Sequence, residues 1–413
     1  MGLATPEDGR RSLLATSLAH FINDGLIALI PLMYPLFALY GVSLTTISIL
    51  VALQNVFAIA ASPLVGARSD VSGNYAGLLT LGLAMLAVGT AGYAVSVQFS
   101  TGFNLTLILL PLTVLIGVGS AFYHPLGATV LRAKWKTETL GNAMGINGSA
   151  GSVGRLLLPL ATTFILGFFA LPFVGTIGVL CFAGAFAVLL MLRGVKFREA
   201  SRTQTGAKAR TSFLPKGELA ARLFPLTVVS FTRSLFTGVF PLIPLFLVQV
   251  DGFDKFTGGL LFSLSLGVGI ISQLLFGYLQ TRLGAKKALT ISNLGGVIVL
   301  FVFTLTTTPS VVMVSLVVFG LFSYSAFPLL LGAVQDLTEL GETTSGSAIV
   351  WGIGSSSGSA AAPLLVGALA LYYSGSLVAG FLASAAIGTL SIFLMPFVRQ
   401  ARIQSSRGQP SVQ

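Results

Sequence analysis

The chain has 413 residues, 54% of them hydrophobic and only 8% charged, with a mean hydropathy of +0.92. A water-facing globular domain carries about 25% charged residues, so that class is excluded; disorder falls with it, and a single cysteine and no Gly-X-Y period exclude disulfide-stapled and collagen-like scaffolds. The net charge of +11 would suggest nucleic acid in a soluble protein, and its placement along the chain decides whether that reading survives.

A membrane-crossing helix needs about 20 mostly apolar residues. Twelve such runs are predicted in chain order, at 12–40, 44–66, 75–97, 104–131, 139–168, 172–193, 222–249, 257–279, 288–306, 310–334, 344–371 and 376–398. The first is too long for a cleaved signal peptide and is interrupted by His20, Asn23 and Asp24. Prolines within spans (Pro31, Pro35, Pro159, Pro241, Pro244, Pro363) are tolerated where neighbouring helices satisfy the freed backbone groups. Residues 194–221 are rich in Arg, Lys, Ser and Thr and lack an apolar period. They read as a solvated linker between a six-helix bundle at 1–193 and a second at 222–398, with a polar tail at 399–413. The runs are continuous rather than alternating, which excludes a β-barrel. The expected fold is an all-α membrane protein of twelve transmembrane helices in two pseudo-symmetric bundles.

Counting alternate loops from the N-terminus puts 20 of the 23 Lys and Arg residues on one side, including Arg10, Arg11, Arg68, Arg132, Lys134, Lys136, Lys286, Lys287 and the linker. The other side holds only Lys255, while Arg155 and Arg233 fall inside spans. The positive-inside rule then makes both termini and the linker cytoplasmic in a plasma (inner) membrane. Nucleic-acid binding loses its basis, because insertion alone demands this bias.

The two halves echo each other. Gly117 and Pro125 match Gly320 and Pro328 at an offset of 203, and Gly154 and Pro159 match Gly358 and Pro363 at 204. After the second span comes Gly66-Ala67-Arg68-Ser69-Asp70-Val71-Ser72-Gly73; after the eighth, Gly277 is followed by Arg282, Gly284, Lys286 and Lys287. Over essentially its whole length the sequence resembles the major facilitator superfamily, whose signature after span two is Gly-x-x-x-Asp-Arg-x-Gly-Arg-Arg/Lys. Each copy here is partial: the first has Asn74 and Tyr75 where basic residues are expected, and the second has Thr281 in the aspartate position. The resemblance implies that Gly66, Asp70, Gly73, Gly277, Arg282 and Gly284 tie helix ends together until the bundles rock. It also implies a substrate cavity between the halves and alternating access. Within the superfamily, Ala19-His20-Phe21-Ile22-Asn23-Asp24 and Ser120-Ala121-Phe122-Tyr123-His124-Pro125 look similar to fosmidomycin-resistance-type exporters.

An ionisable group at the bilayer centre costs at least about 2.5–3.5 kcal/mol and is a functional hypothesis by default. The candidates are His20 and Asp24 on span one, His124 on span four, Arg155 on span five and Arg233 on span seven. His20 and Asp24 are four residues apart and share a helix face. At about 1.5 Å per residue, His20 lies roughly 12 Å in from the end of its span, His124 at a similar depth, and Asp24 and Arg155 share a level nearer the middle. Aligning Gly25 with Gly238 and Pro31 with Pro244, both at an offset of 213, makes Arg233 the counterpart of His20. The superfamily places spans one and seven across the cavity, so the resemblance has both residues look inward.

Each candidate has two readings. Asp24–Arg155 is either a structural ion pair between spans one and five or part of the mechanism. His20 and His124 either carry protons or satisfy one another and nearby carbonyls. Arg233 has no intramembrane acid left to pair with and is the first candidate for an anionic substrate group, with Arg155, His20, Tyr34, Tyr123 and Asn147 beside it. The glycine face Gly148, Gly151, Gly154 reads as helix packing. No phosphate loop, metal spacing or nucleophile constellation is present, so no enzyme activity, cofactor or metal is expected. The function expected is secondary active transport of a small organic, anionic solute by a monomer in the lipid bilayer, proton-coupled through Asp24, His20 and His124. Proton-driven drug or fosmidomycin-type efflux is the alternative within transport, and a non-transporting membrane receptor or sensor the alternative outside it.

Overall fold

The computed structural model describes residues 6–195, 217–338 and 346–398. Among the described residues there is no strand. Twelve helical segments are long and apolar enough to cross a membrane: Glu7–Leu39, Leu44–Ser69, Tyr75–Ser96, Gly102–Lys134, Asn142–Phe168 and Leu171–Leu192 in the first half, and Glu218–Gln249, Lys255–Leu283, Ala285–Leu305, Pro309–Leu337, Ala348–Tyr372 and Leu377–Phe397 in the second. The predicted runs differ only at their ends; spans one, seven and eight extend beyond the apolar stretch into polar residues. Residues 196–216 of the predicted linker and the tail at 399–413 lie outside the described residues.

Proline breaks recur at matching places. Span one passes through a 3-10 turn at Ile30–Met33, and span seven through one at Phe240–Leu242. Span four is helical over Gly102–Ser120 and again from Tyr123; span ten is helical over Pro309–Ser323 and again from Ala326. The cause is the same in each: Pro125 and Pro328 have no N–H for the carbonyls of Ala121 and Tyr324, and their rings push those carbonyls aside. Span eleven opens with a π-helical stretch, Ala348–Ser355.

Spans two and eleven, and spans five and eight, meet across the two halves, and they do so unevenly along their length. At the end remote from the basic loops, the Thr45 hydroxyl donates to the Gly367 carbonyl at 3.1 Å, and a Cβ on Gly367 would run into Ser48. Gly259 is equally close to Thr163, and the Phe256 ring lies 5.4 Å from Phe164. Toward the basic end the same four helices carry Gly66, Gly145, Gly148, Gly277 and Gly352, each with open space where a Cβ would stand. These contacts hold the halves together at the far end, and none of these five glycines at the basic end touches the opposite half.

Candidate functional site

Span one docks tightly on span five because glycines remove the obstacles. A Cβ at Gly151 would overlap the His20 ring, and one at Gly154 would strike the Phe21 carbonyl. This close approach sets the neighbouring Arg155 against span one: its Nη1 lies 3.2 Å from Asp24 Oδ2. Arg155 Nη2 donates to Ser152 Oγ at 3.0 Å, and its Cζ lies 5.6 Å from the centre of the Tyr324 ring in the other half.

Asp24 is the hub. Its Oδ1 accepts from Asn23 Nδ2 at 3.0 Å, its Oδ2 faces His20 Nε2 at 3.2 Å, and His124 Nε2 is 3.8 Å from Oδ1. The carboxylate itself is 6% exposed, whereas His124 is 65% exposed, so the histidine is the group that opens to the surroundings. His124 stands in the first turn after the break in span four, which is what turns it toward span one.

The His20 ring is held on every side. Nδ1 lies 2.8 Å from the Asn147 carbonyl and 3.1 Å from Asn147 Oδ1. A backbone carbonyl only accepts, so the Nδ1 hydrogen is assigned by that contact whichever way the Asn147 amide is turned. Nε2 then faces the Asp24 carboxylate. The Tyr123 ring stacks on His20 at 4.4 Å and its hydroxyl donates to Asn147 Oδ1 at 2.7 Å. The Asn147 Nδ2 is buried with no hydrogen-bond partner.

A cavity of about 290 Å³ opens between the halves beside this cluster. Asp24, His124 and Arg155 give it a charged wall; Phe240, Phe262, Leu266 and Tyr324 from the second half give it an apolar one. Ile27, Ala28 and Pro31 also line it, and they sit at i+3, i+4 and i+7 from Asp24, so helical spacing alone would have found them. Phe240, Phe262 and Leu266 have no such signal, because a phenylalanine or leucine on an apolar span looks the same toward lipid, core or cavity. A larger groove of about 690 Å³ between spans three and six has no charged residue in its lining and no residue from the second half.

Of the expected substrate contacts only Arg155 lines the cavity; His20, Tyr123 and Asn147 belong to the cluster behind it, and two further members lie elsewhere. Arg233 is 0% exposed and does not line the cavity. Its Nη1 donates to Asn293 Oδ1 at 2.5 Å and Ser292 Oγ at 3.1 Å; its Nη2 donates to the Phe322 carbonyl at 2.8 Å, the Ser323 carbonyl at 3.3 Å and Ser325 Oγ at 3.1 Å. The guanidinium is occupied by the break in span ten, and in this conformation no solute reaches it. Tyr34 is 1% exposed and packs beside Phe37, again outside the cavity lining.

Of the loop residues, Gly73 has φ +62° and caps span two, so that only Gly73 and Asn74 separate the helices ending at Ser72 and beginning at Tyr75. Gly284, with φ +82°, makes the corresponding turn between spans eight and nine. Arg282 lies over Tyr278 of its own helix at 5.4 Å, not against another span. The Asp70 side chain lies outside the described residues. The basic end is instead tied by Lys134 to Asp8 at 3.3 Å and by Lys286, which donates to the Val398 carbonyl at 2.6 Å. In the loop before span eight, burial pushes the Asp251 carboxyl up to about 6, and its Oδ2 has no hydrogen-bond partner. Among the described residues no group of three His, Cys, Asp or Glu could hold a metal.

Two helical bundles of membrane-crossing length, with buried charges beside a cavity lined from both, define a membrane transporter. The sequence profile of the Major Facilitator Superfamily matches residues 14–359 and 270–412, and the chain belongs to that family. It is 31% identical over 156 residues to the uncharacterized MFS-type transporter YfnC of Bacillus subtilis (strain 168), a match spanning 37% of this chain and only 36% of that relative's length. It is 26% identical over 306 residues to Multidrug resistance protein 2 of the same organism, covering 71% of this chain and 72% of that one. Among solved structures, the nucleoside transporter NupG superimposes with a TM-score of 0.74 at 13% identity, over 94% of this chain and 100% of that chain, which speaks to the fold alone.

Proposed function

We propose that the chain is a proton-coupled secondary transporter of a small anionic, amphipathic organic solute. The observation that carries the reading is the Asp24 carboxylate held 3.2 Å from both Arg155 and His20 at the wall of the cavity between the bundles. A solute anion competes with Asp24 for Arg155 by a charge-assisted contact, while its apolar body lies against Phe240 and Phe262. Asp24, losing its contact with Arg155, takes a proton delivered through the exposed His124. His20, clasped by Asn147 and Tyr123, keeps the remaining positive charge beside the carboxyl. With both termini on the cytoplasmic face of a plasma (inner) membrane, the basic end of the monomer faces the cytoplasm, and rocking the bundles exposes the same cavity to either side in turn.

Flux into proteoliposomes with an imposed pH gradient tests this, using benzoate as anionic probe and tetraphenylphosphonium as lipophilic cation. Benzoate flux that follows the pH gradient, and becomes insensitive to it in Asp24→Asn, supports the reading. Gradient-driven flux of the cation with no benzoate flux overturns the anionic substrate. That outcome would favour the second reading, drug efflux, which is supported by the apolar wall, the similarity to Multidrug resistance protein 2 and the resemblance to fosmidomycin-resistance-type exporters.

A further inference from the structure

Arg233 is a wholly buried cation whose partners among the described residues are all neutral. Such a group is expensive in a membrane, so it answers some requirement that a cheaper residue does not. That requirement is visible in span ten. The break caused by Pro328 leaves the last carbonyls of the helix ending at Ser323 without intrahelical partners, and at membrane depth each must be satisfied by protein. Arg233 takes Ser323 and shares Phe322 with the hydroxyls of Ser292 and Ser325, while Ser272 donates to a third, Leu321. The planar fork of the guanidinium reaches these carbonyls through one nitrogen and Asn293 and Ser292 of span nine through the other, a division that a lysine ammonium cannot reproduce.

The residue set between these clamped groups is Tyr324. Its backbone lies directly between Ser323, whose carbonyl Arg233 holds, and Ser325, whose hydroxyl Arg233 holds. Its ring leaves the break toward the cavity, packs against the bare face of Gly269, lies 5.4 Å from Phe240, and presents its face to Arg155. Tyr324 is thus the point at which the second half touches the charged cluster of the first. We infer that Arg233 is a positioning residue: by pinning the span-ten break to spans seven and nine, it sets the Tyr324 ring against Arg155 and so couples the second bundle to the Asp24 charge cluster. The inference rests on the cavity being the solute site only for its consequence in flux; the positioning itself is read without any solute.

The test places 3-fluorotyrosine at position 324 of the full-length protein in nanodiscs and records its fluorine resonance, with Arg233 intact and in Arg233→Lys and Arg233→Met. A second label at Tyr93, buried in the first bundle, reports general damage. The expected result is a shifted, broadened Tyr324 signal in Arg233→Met, a smaller shift in Arg233→Lys, and an unmoved Tyr93 signal. Should the Arg233 variants not fold, Asn293→Ala keeps the arginine but removes its anchor on span nine, and it is expected to move the same signal in the same direction by less. In benzoate flux, Arg233→Lys should raise KM threefold to tenfold with kcat within twofold, and should add nothing further in a Tyr324→Leu background. A Tyr324 resonance unchanged in the folded variants, with only a lowered melting temperature, would overturn the inference and leave Arg233 a helix cap. Absence of benzoate flux in the parent would count against the proposed solute and leave the resonance result standing.

Discussion

Removing charge from the Asp24 cluster should produce an asymmetry that packing alone does not predict. At 3.2 Å and an effective dielectric near 20, the Arg155–Asp24 attraction amounts to about 5 kcal/mol before desolvation is counted. The two partners are not equally well supplied without each other. In Arg155→Gln, Asp24 retains the Asn23 donor at 3.0 Å and the His20 ring at 3.2 Å. In Asp24→Asn, Arg155 retains Ser152 Oγ at 3.0 Å, the face of Tyr324 and a neutral amide oxygen in place of the carboxylate. Leaving one member of a buried pair unmatched costs about 3–5 kcal/mol, and the arginine is the worse orphan. Asp24→Asn is therefore expected to cost about 3 kcal/mol, Arg155→Gln about 1–2 kcal/mol, and the double variant less than Asp24→Asn alone, since it removes the stranded cation. Scanning fluorimetry and urea titration in nanodiscs of the four proteins close the cycle. Simple additivity, or a double variant weaker than both singles, would refute the claim that the two side chains satisfy each other.

Other consequences are smaller in scope. Gly154→Ala places a Cβ against the Phe21 carbonyl and should cost about 1–3 kcal/mol by prying spans one and five apart, whereas Gly148→Ala, with open space at its Cβ, should leave the melting temperature unchanged. Tyr123→Phe removes the donor to Asn147 Oδ1 at 2.7 Å, a loss of about 1 kcal/mol that should appear as lower thermal stability, with the His20 resonances broadened in NMR as its clamp loosens. Asp251 has its carboxyl raised to about 6 in the folded protein, so folding favours its protonated form: the group's penalty is absent below pH 4, grows between pH 4 and 6, and is complete above. Asp251→Asn should therefore stabilise the protein at pH 7.5 by roughly 1 kcal/mol, scaled down for a half-exposed group, and leave it unaltered at pH 4; equal gains at both pH values would contradict the assignment.

The architecture was legible because length and apolarity encode it directly: a run long enough to cross the bilayer is a span whatever its neighbours do. The pairing level of Asp24 and Arg155 was legible too, since helical rise converts sequence position into depth. Arg233 was placed by the same repeat arithmetic yet lies away from the cavity. A guanidinium is long enough to choose among several directions, and the carbonyls that attract it become available only through a proline five residues beyond Ser323, on a different helix. Sequence gives the depth of a side chain but not its azimuth. Tyr34 illustrates the same limit, as an aromatic at the right level that turns into the bundle.

Apart from the Phe256 contact, the far-end closure is made of glycine, serine and threonine: Gly367 on Ser48, Gly259 on Thr163. Such a seam is tight in distance, with hydrogen bonds from Thr45 to Gly367 and between Thr163 and Ser263, and its apolar surface is confined to one patch where Phe256 packs against Phe164 and Phe168. A zipper of this kind excludes solute without gluing its edges. The free-energy gap between its shut and open forms can then be small, and a ligand that discriminates between the two by only a few kcal/mol suffices to reverse which form dominates.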